Sequence, residues 1–300
     1  MRMHDDQLTI TPELVRALVA SQFPEWRDLP VTEVTGPGTV NAIFRLGDDL
    51  TARFPLQPGV TASVRDGLRG ELEAEAAAAR ELAGRTRFRT PEPVALGSPG
   101  DGYPLPWSVQ TWLPGTMATP DSVATSTAFA HDLADLITDL RAVDTRGRTF
   151  TGKGRGGDLR SHDAWMETCF QRSEHLLDLP RLRALWERLR VLPPAGPDVM
   201  CHSDLIPGNL LVSGDRLTGV LDVGGFGPAD PALDLVAAWH LLEPGPRKVL
   251  RERLDSDDLT WERGKAWAFQ QAMGAAWYYV RSNPAMSRMG LTTLERILAD

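Results

Sequence analysis

CHSDLIPGNLLV, residues 201–212, sets His202, Asp204 and Asn209 around a Pro207-Gly208 turn and then runs straight into three apolar residues. A surface loop needs no apolar lead-in and exit, and a core strand has no use for ionisable side chains. Val199-Met200 before the polar residues and Leu210–Val212 after them read as short strands, so the loop is gripped from both ends. The next segment, GDRLTGVLD (214–222), reads as a hairpin with a Gly-Asp turn that returns Asp222 alongside Asn209.

His-x-Asp-x4-Asn, with a second Asp thirteen residues after the Asn, has the spacing of a phosphoryl-transfer loop. That chemistry needs a carboxylate to orient and deprotonate an acceptor hydroxyl, the role expected of Asp204, with His202 beside it in the catalytic group. It also needs a neutral amide and a second carboxylate to hold magnesium among the nucleotide phosphates, the roles expected of Asn209 and Asp222. Two plainer readings stand beside this one. The segment can be a turn whose Asx side chains cap backbone amides, or His-x-Asp can be the ligand pair of a metal-dependent hydrolase. The full set is rarer than either fragment and favours phosphoryl transfer.

The rest of the sequence bounds the answer. Its 300 residues suffice for two modest domains, and 42% hydrophobic with 24% charged residues is ordinary for a globular protein. A net charge of −8 argues against nucleic acid as the main partner and points to a cationic small-molecule substrate. The acid excess is spread evenly over the chain, so it does not locate that site. Cys169 and Cys201 are too few for a disulfide framework, which favours a reducing compartment. No signal pattern opens the chain and no apolar run reaches the ~18 residues of a membrane span, so a cytoplasmic protein is expected. Lysine is scarce: Lys153, Lys248 and Lys265 stand against 29 arginines, and the first 152 residues have none.

Thr11-Pro12-Glu13 opens a capped amphipathic helix. VTEVTGPG, VNAIFRLG and LTARFPL read as strands separated by turn-rich breaks, RGELEAEAAAARELA (69–83) as a helix, and TPEPVALG and WSVQTWLPG as two more strands. After Leu113-Pro114-Gly115 the apolar spacing becomes helical, as in AFAHDLADLITDLRAV. The expected domains are a β-rich 1–112 and a helical 113–300. The basic glycine patch GKGRGGD (152–158) reads as a mobile loop.

CHSDLIPGNLLV, followed by VLDVGGFGPADPALDLVAAW (220–239), resembles the aminoglycoside phosphotransferase family, antibiotic kinases that share the protein-kinase fold. The likeness runs from the Gly36 turn to about Trp239 and fades over the last 60 residues. It implies an α+β fold of two lobes: a small antiparallel-sheet N-lobe that binds nucleotide and a larger, mostly helical C-lobe with the catalytic loop and acceptor site. It implies ATP or GTP as phosphate donor, with Mg2+. It also implies that Asp234 braces the catalytic loop through His202 and that Asp230 is a structural turn residue.

The front lobe adds weaker signals. GPGTVNAIFRL has Gly36 and Gly38 at a strand turn whose amides suit phosphates, though such a turn is often only a turn. Arg53 in LTARFPL lies on the strand where a protein kinase keeps its phosphate-binding lysine; with no lysine in this lobe, it is the best-placed cation. Its partner is expected on the Ala-rich helix, where Glu71 and Glu75 share a face and the resemblance favours Glu75. Thr111, Trp112 and Leu113 would offer hinge backbone to a purine edge. For the acceptor, the candidates are Asp255, Asp257, Asp258, Glu262, Trp267, Trp277 and Tyr278, each with a plain alternative as helix cap or core aromatic.

The reading is a magnesium-dependent kinase acting on a hydroxyl of an aminoglycoside-like antibiotic. Its rivals are a macrolide kinase, a metabolic kinase for a sugar, amine or amino-alcohol, a nucleotide-binding pseudokinase and, more weakly, a metal-dependent phosphoesterase.

Overall fold

The computed structural model describes residues 8–34, 41–56 and 61–300. Gly36 and Gly38 lie outside them. The chain divides into two compact units, Met1–Ala83 with Thr90–Pro114, and Gly84–Arg89 with Gly115–Asp300.

The first unit is a helix-covered antiparallel sheet. Helix α1 (Pro12–Gln22) starts where Thr11 accepts the Leu14 N–H, with Pro12 in the first turn. Strands β1 (Val31–Glu33), β2 (Asn41–Leu46), β3 (Leu50–Pro55), β4 (Pro93–Gly97) and β5 (Trp107–Thr111) make one sheet in the order β1-β2-β3-β5-β4. In this register Arg53 on β3 faces Ile43 on one side and Ser108 on the other. Val15, Leu18 and Val19 of α1 pack on Phe44, Phe54, Tyr103 and Trp107. Trp107 stacks on Phe54 at 4.8 Å and covers β4 so closely that a Cβ at Gly97 would lie 2.0 Å from the indole. Helix α2 spans Ala62–Leu82, starting earlier than its Ala- and Glu-rich stretch suggests. Thr61 caps it, and Gly67 and Gly70 are carried inside rather than breaking it.

The second unit is mostly helical. Strands β6 (Thr116–Met117), β8 (Leu210–Ser213) and β9 (Arg216–Val220) form a small sheet, and β7 (Val199–Cys201) pairs with β10 (Gly227–Ala229). Around them lie α3 (Thr127–Arg141), α4 (Asp163–Arg172), α5 (Leu179–Leu189), α6 (Val236–Leu241), α7 (Pro244–Arg253), α8 (Asp258–Tyr278) and α9 (Pro284–Ala299). Helix α8 is buried on every side through most of its length, which makes it the axis of the unit. It meets α9 almost backbone to backbone: a Cβ on Gly290 would lie 2.7 Å from the Ala276 nitrogen and 2.8 Å from the Ala272 oxygen. Asp230 and Arg263 form a buried ion pair, with the remaining guanidinium donors on the Leu192, Pro193 and Gly157 carbonyls. Among the described residues no helix is long and apolar enough to cross a membrane.

His240 of α6 is fully buried between Thr293 Oγ1 (2.9 Å) and Gln271 Oε1 (3.0 Å). Burial brings its imidazole down to about 4.

Two expectations follow from this packing. Gly290→Ala should lower unfolding stability by about 1–3 kcal/mol through overpacking, whereas Gly67→Ala, in open space inside α2, should raise it by about 0.5–1 kcal/mol; urea titration reads both. His240 should also confer acid sensitivity. Its folded pKa of about 4 lies below the ordinary value of 6.5, so the neutral imidazole's contribution is full above 6.5. It is lost as pH falls from there to about 4, amounting to roughly 3 kcal/mol. A His240→Asn variant should show a correspondingly flatter acid limb; an identical limb would assign the sensitivity to other groups.

Candidate active site

The loop between β7 and the Pro207–Asn209 turn is held by one buried carboxylate. Asp234 Oδ2 accepts the His202 backbone N–H at 2.8 Å, and Oδ1 accepts that of Ser203 at 2.9 Å. Ser203 takes a left-handed conformation (φ 74°), which turns the chain sharply between the two bonds. Burial pushes the Asp234 carboxyl above its usual range, opposed by His202 and the two amides. The brace suggested by sequence therefore acts on backbone N–H groups, not on the imidazole. His202 itself is wholly buried. Its Nδ1 accepts the Asp204 N–H at 3.3 Å, so Nε2 carries the proton and donates to the Leu221 carbonyl at 2.8 Å. His202 was expected among the catalytic groups; buried and spent on backbone, it ties the Asp204 loop to the residue before Asp222.

The hairpin β8–β9 turns at Gly214 (φ 60°) and brings the chain back, with the Leu221 N–H donating to the Asn209 carbonyl at 2.7 Å. Asp222 follows immediately in a left-handed conformation, φ 55° and ψ 47°. Asn209 Nδ2 donates to the Asp204 carbonyl at 2.9 Å and to Asp204 Oδ2 at 3.2 Å. With its amide N–H groups committed there, its carboxamide oxygen is the atom left to meet a cation. Asn209 and Asp222 thus supply hard oxygen donors of the kind magnesium takes. No cluster of three His, Cys, Asp or Glu side chains suited to a metal occurs among the described residues. A cation here would complete its shell with water and phosphate oxygens, which is magnesium's habit.

Two residues the sequence reading passed over meet the Asp204 carboxylate. Oδ1 accepts from Arg155 Nη2 and from Gln271 Nε2, both at 2.7 Å. Gln271 is oriented from behind: its Oε1 faces His240 Nε2, which must be the donor, while His240 Nδ1 lies 2.9 Å from a Thr293 hydroxyl that also reaches the Met289 carbonyl at 2.8 Å. Arg155 comes from the glycine patch expected to be mobile. Instead its middle, residues 155–157, is packed into the unit while 152–154 stay exposed: the Gly156 carbonyl accepts the Asp230 N–H at 2.8 Å, and Gly157 lies against Phe150. An arginine flanked by glycines was the available signal. The Gln271 signal was absent, because a glutamine within a buried helix has no local pattern.

In the first unit, Arg53 Nη1 stands 3.9 Å from Glu75 Oε2, with the Arg53 side chain 16% exposed and that of Glu75 43%. At that length and exposure the pair is worth at most about 1 kcal/mol, well below a buried bridge. Glu71 is exposed. The Thr111 N–H donates to the Glu92 carbonyl at 2.9 Å and the Trp112 N–H to that of Asp49 at 2.7 Å. Both hinge donors are therefore taken, which moves the hinge expectation onto the Leu113 backbone. The Trp112 ring lies beneath Arg45, 5.2 Å away.

The acceptor candidates scatter. Asp257 caps α8 through the Thr260 N–H at 2.7 Å, Asp258 pairs with Arg251, and Glu262 pairs with Lys265 at 2.8 Å. Asp255 is a left-handed turn residue (φ 47°) ahead of that cap. Trp267 is fully buried and donates to Asp230 at 2.9 Å, so it belongs to the core. Trp267 is thereby corrected to a core residue, while the four carboxylates hold these local positions at the surface. Trp277 and Tyr278 remain at the far end of α8 with Trp165, whose ring lies 6.0 Å from that of Trp277.

A sequence profile of the phosphotransferase enzyme family matches residues 37–267. A stretch of 71 residues is 40% identical to the aminoglycoside 3'-phosphotransferase of Escherichia coli, spanning 23% of this chain and 26% of that one; the chain thus aligns with about a quarter of that curated relative's length. Among solved structures, it is similar to the GDP complex of aminoglycoside 2'-phosphotransferase IIIa, with TM-score 0.68, 19% identity and coverage of 97% of this chain and 99% of that one. It is also similar to a macrolide 2'-phosphotransferase from Brachybacterium faecium, with TM-score 0.62, 18% identity and coverage of 94% and 98%. At such identities these structures establish a shared kinase-like fold, a small antiparallel sheet followed by a helical part. With the family profile running over most of its length, the chain belongs to the phosphotransferase enzyme family.

Proposed function

We propose that this protein is a magnesium-dependent small-molecule kinase that transfers the terminal phosphoryl group of ATP or GTP to a hydroxyl of an aminoglycoside-type antibiotic. The observation that carries this is the state of Asp204: its carboxylate is fixed through Oδ1 by two donors, while Oδ2 meets only the longer Asn209 contact at 3.2 Å. A fixed, partly exposed carboxylate with one oxygen lightly held suits a base that takes a hydroxyl proton. In this reading the acceptor O–H proton passes to Asp204 Oδ2. The freed oxygen bonds to the terminal phosphorus, and the bond from that phosphorus to the bridging oxygen breaks, releasing the nucleoside diphosphate. Asn209 and Asp222 are the residues that would hold magnesium, which when bound offsets the phosphate charge. Arg53 supports the phosphates, Leu113 offers its backbone to the base, and His202 and Asp234 keep the loop in shape.

The complete set of Asp204, Asn209 and Asp222 favours catalysis over a nucleotide-binding pseudokinase. A second reading, a macrolide-type acceptor, is favoured by the engagement of the acidic candidates with caps and cations described above. Two unpaired, buried cysteines support a cytoplasmic setting.

Asp204→Asn should reduce transfer by about 10²–10⁴-fold with nucleotide affinity nearly unchanged; full turnover in a folded variant would remove Asp204 from the base role. Asp222→Ala should weaken magnesium-dependent nucleotide binding more than Asn209→Ala, since a full charge is lost rather than a neutral ligand. Calorimetry showing identical wild-type nucleotide binding with and without magnesium would contradict that assignment. Arg53→Lys should keep partial activity and Arg53→Ala should lose more, chiefly in nucleotide KM.

A further inference from the structure

Arg155 is built into its position. The residue after it, Gly156, has φ 120°, and a Cβ there would lie 2.7 Å from that of Ala229. The Gly156 carbonyl is bonded to the Asp230 N–H, and the Gly157 carbonyl accepts from Arg263 at 3.2 Å. The backbone leaving Arg155 is therefore locked onto the buried Asp230–Arg263 pair. Its guanidinium reaches Asp204 Oδ1 at 2.7 Å and the Ser203 carbonyl at 3.3 Å.

This placement bears on what the acceptor can be. With Oδ1 filled by Arg155 and Gln271, an incoming hydroxyl has to use Oδ2. A group on the carbon next to that hydroxyl, when turned toward the Oδ1 side, then lies within about 6 Å of the guanidinium. An ammonium there meets a like charge, and the carboxylate that would attract it is already neutralised. Further along α8, Gln271, Gly274 and Tyr278 share a helix face, Tyr278 being about 10 Å beyond Gln271. Trp165 packs against Gly274, and the exposed parts of Trp165 (39%) and Tyr278 (43%) offer apolar surface rather than carboxylates. Arg172 adds a second cation over the Trp277 ring, 5.9 Å away.

We propose that Arg155 sets the charge specificity of the acceptor site: it admits a hydroxyl whose neighbouring carbon bears no ammonium group, on a molecule whose body packs against Trp165 and Tyr278. This rests on reading Asp204 as the base for a small-molecule hydroxyl.

The test uses paired aminoglycosides that differ only in amine against hydroxyl on the carbon beside the reacting hydroxyl, with the product position fixed by phosphorus-coupled NMR. For the full-length wild type, kcat/KM should favour the hydroxyl member by about tenfold or more. Arg155→Ala should bring the ratio to near one or reverse it, mainly through acceptor KM, and Arg155→Lys should restore the preference. Far-ultraviolet circular dichroism checks the fold of each variant. No preference in the wild type, or an unchanged ratio in folded Arg155→Ala, overturns the specificity role while leaving phosphotransfer intact. If the wild type binds nucleotide yet phosphorylates neither member, the aminoglycoside reading of the acceptor falls and takes this inference with it.

Discussion

Asp234 is fully buried, and the N–H groups of His202 and Ser203 are what make a carboxylate tolerable there. The bonds run to adjacent backbone amides, so they fix the direction in which the chain leaves β7. Ser203 is thereby held in its left-handed turn, Asp204 emerges from it, and His202 is pressed inward to reach the Leu221 carbonyl. One buried acid thus ties two chain segments together, the one carrying Asp204 and the one carrying Asp222. A neutral side chain of the same size would leave at least one of these amides poorly matched inside the core.

Helix α8 gives this arrangement its rigidity. Near its start, Arg263 and Trp267 both close on Asp230. One turn later Gln271 reaches Asp204, and at the next turn Gly274 makes room for the Trp165 ring. Structural and chemical contacts thus alternate along one rod, whose position is set by the close crossing with α9. The buried Asp230–Arg263 pair is costly to desolvate and is compensated by three carbonyls and an indole N–H. Its evident use is to clamp the glycine segment that presents Arg155.

Much of this was legible in the sequence. The strands and helices followed from periodicity, caps and turn residues, and the hairpin of 214–222 from its Gly-Asp turn. Helix α2 was expected only from residue 69, where the Ala- and Glu-rich run begins; the Thr61 cap carries it back to Ala62 across an exposed Gly67. The loop of 201–212 was readable because its spacing is local. The groups around it were not, because Gln271 lies 67 positions from Asp204 and Arg155 lies 49 away. The acidic run 255–258 looked like a site for cations, yet it stands where a helix begins and its charges serve the helix terminus and Arg251. The glycines of 152–157 signalled freedom, but two of them are there because nothing larger fits.

The contact from Thr293 through His240 and Gln271 to Asp204 crosses from the last helix to the loop. Gln271 Nε2 donates to Asp204, so its Oε1 faces the imidazole and the amide has one permitted orientation. Sequence drift at position 293 is consequently not neutral, since exchanging the hydroxyl for a methyl leaves the buried Nδ1 of His240 without its polar neighbour. Changes on α9, two side chains removed from Asp204, can therefore re-aim the carboxylate while Arg155 and Asn209 stay as they are.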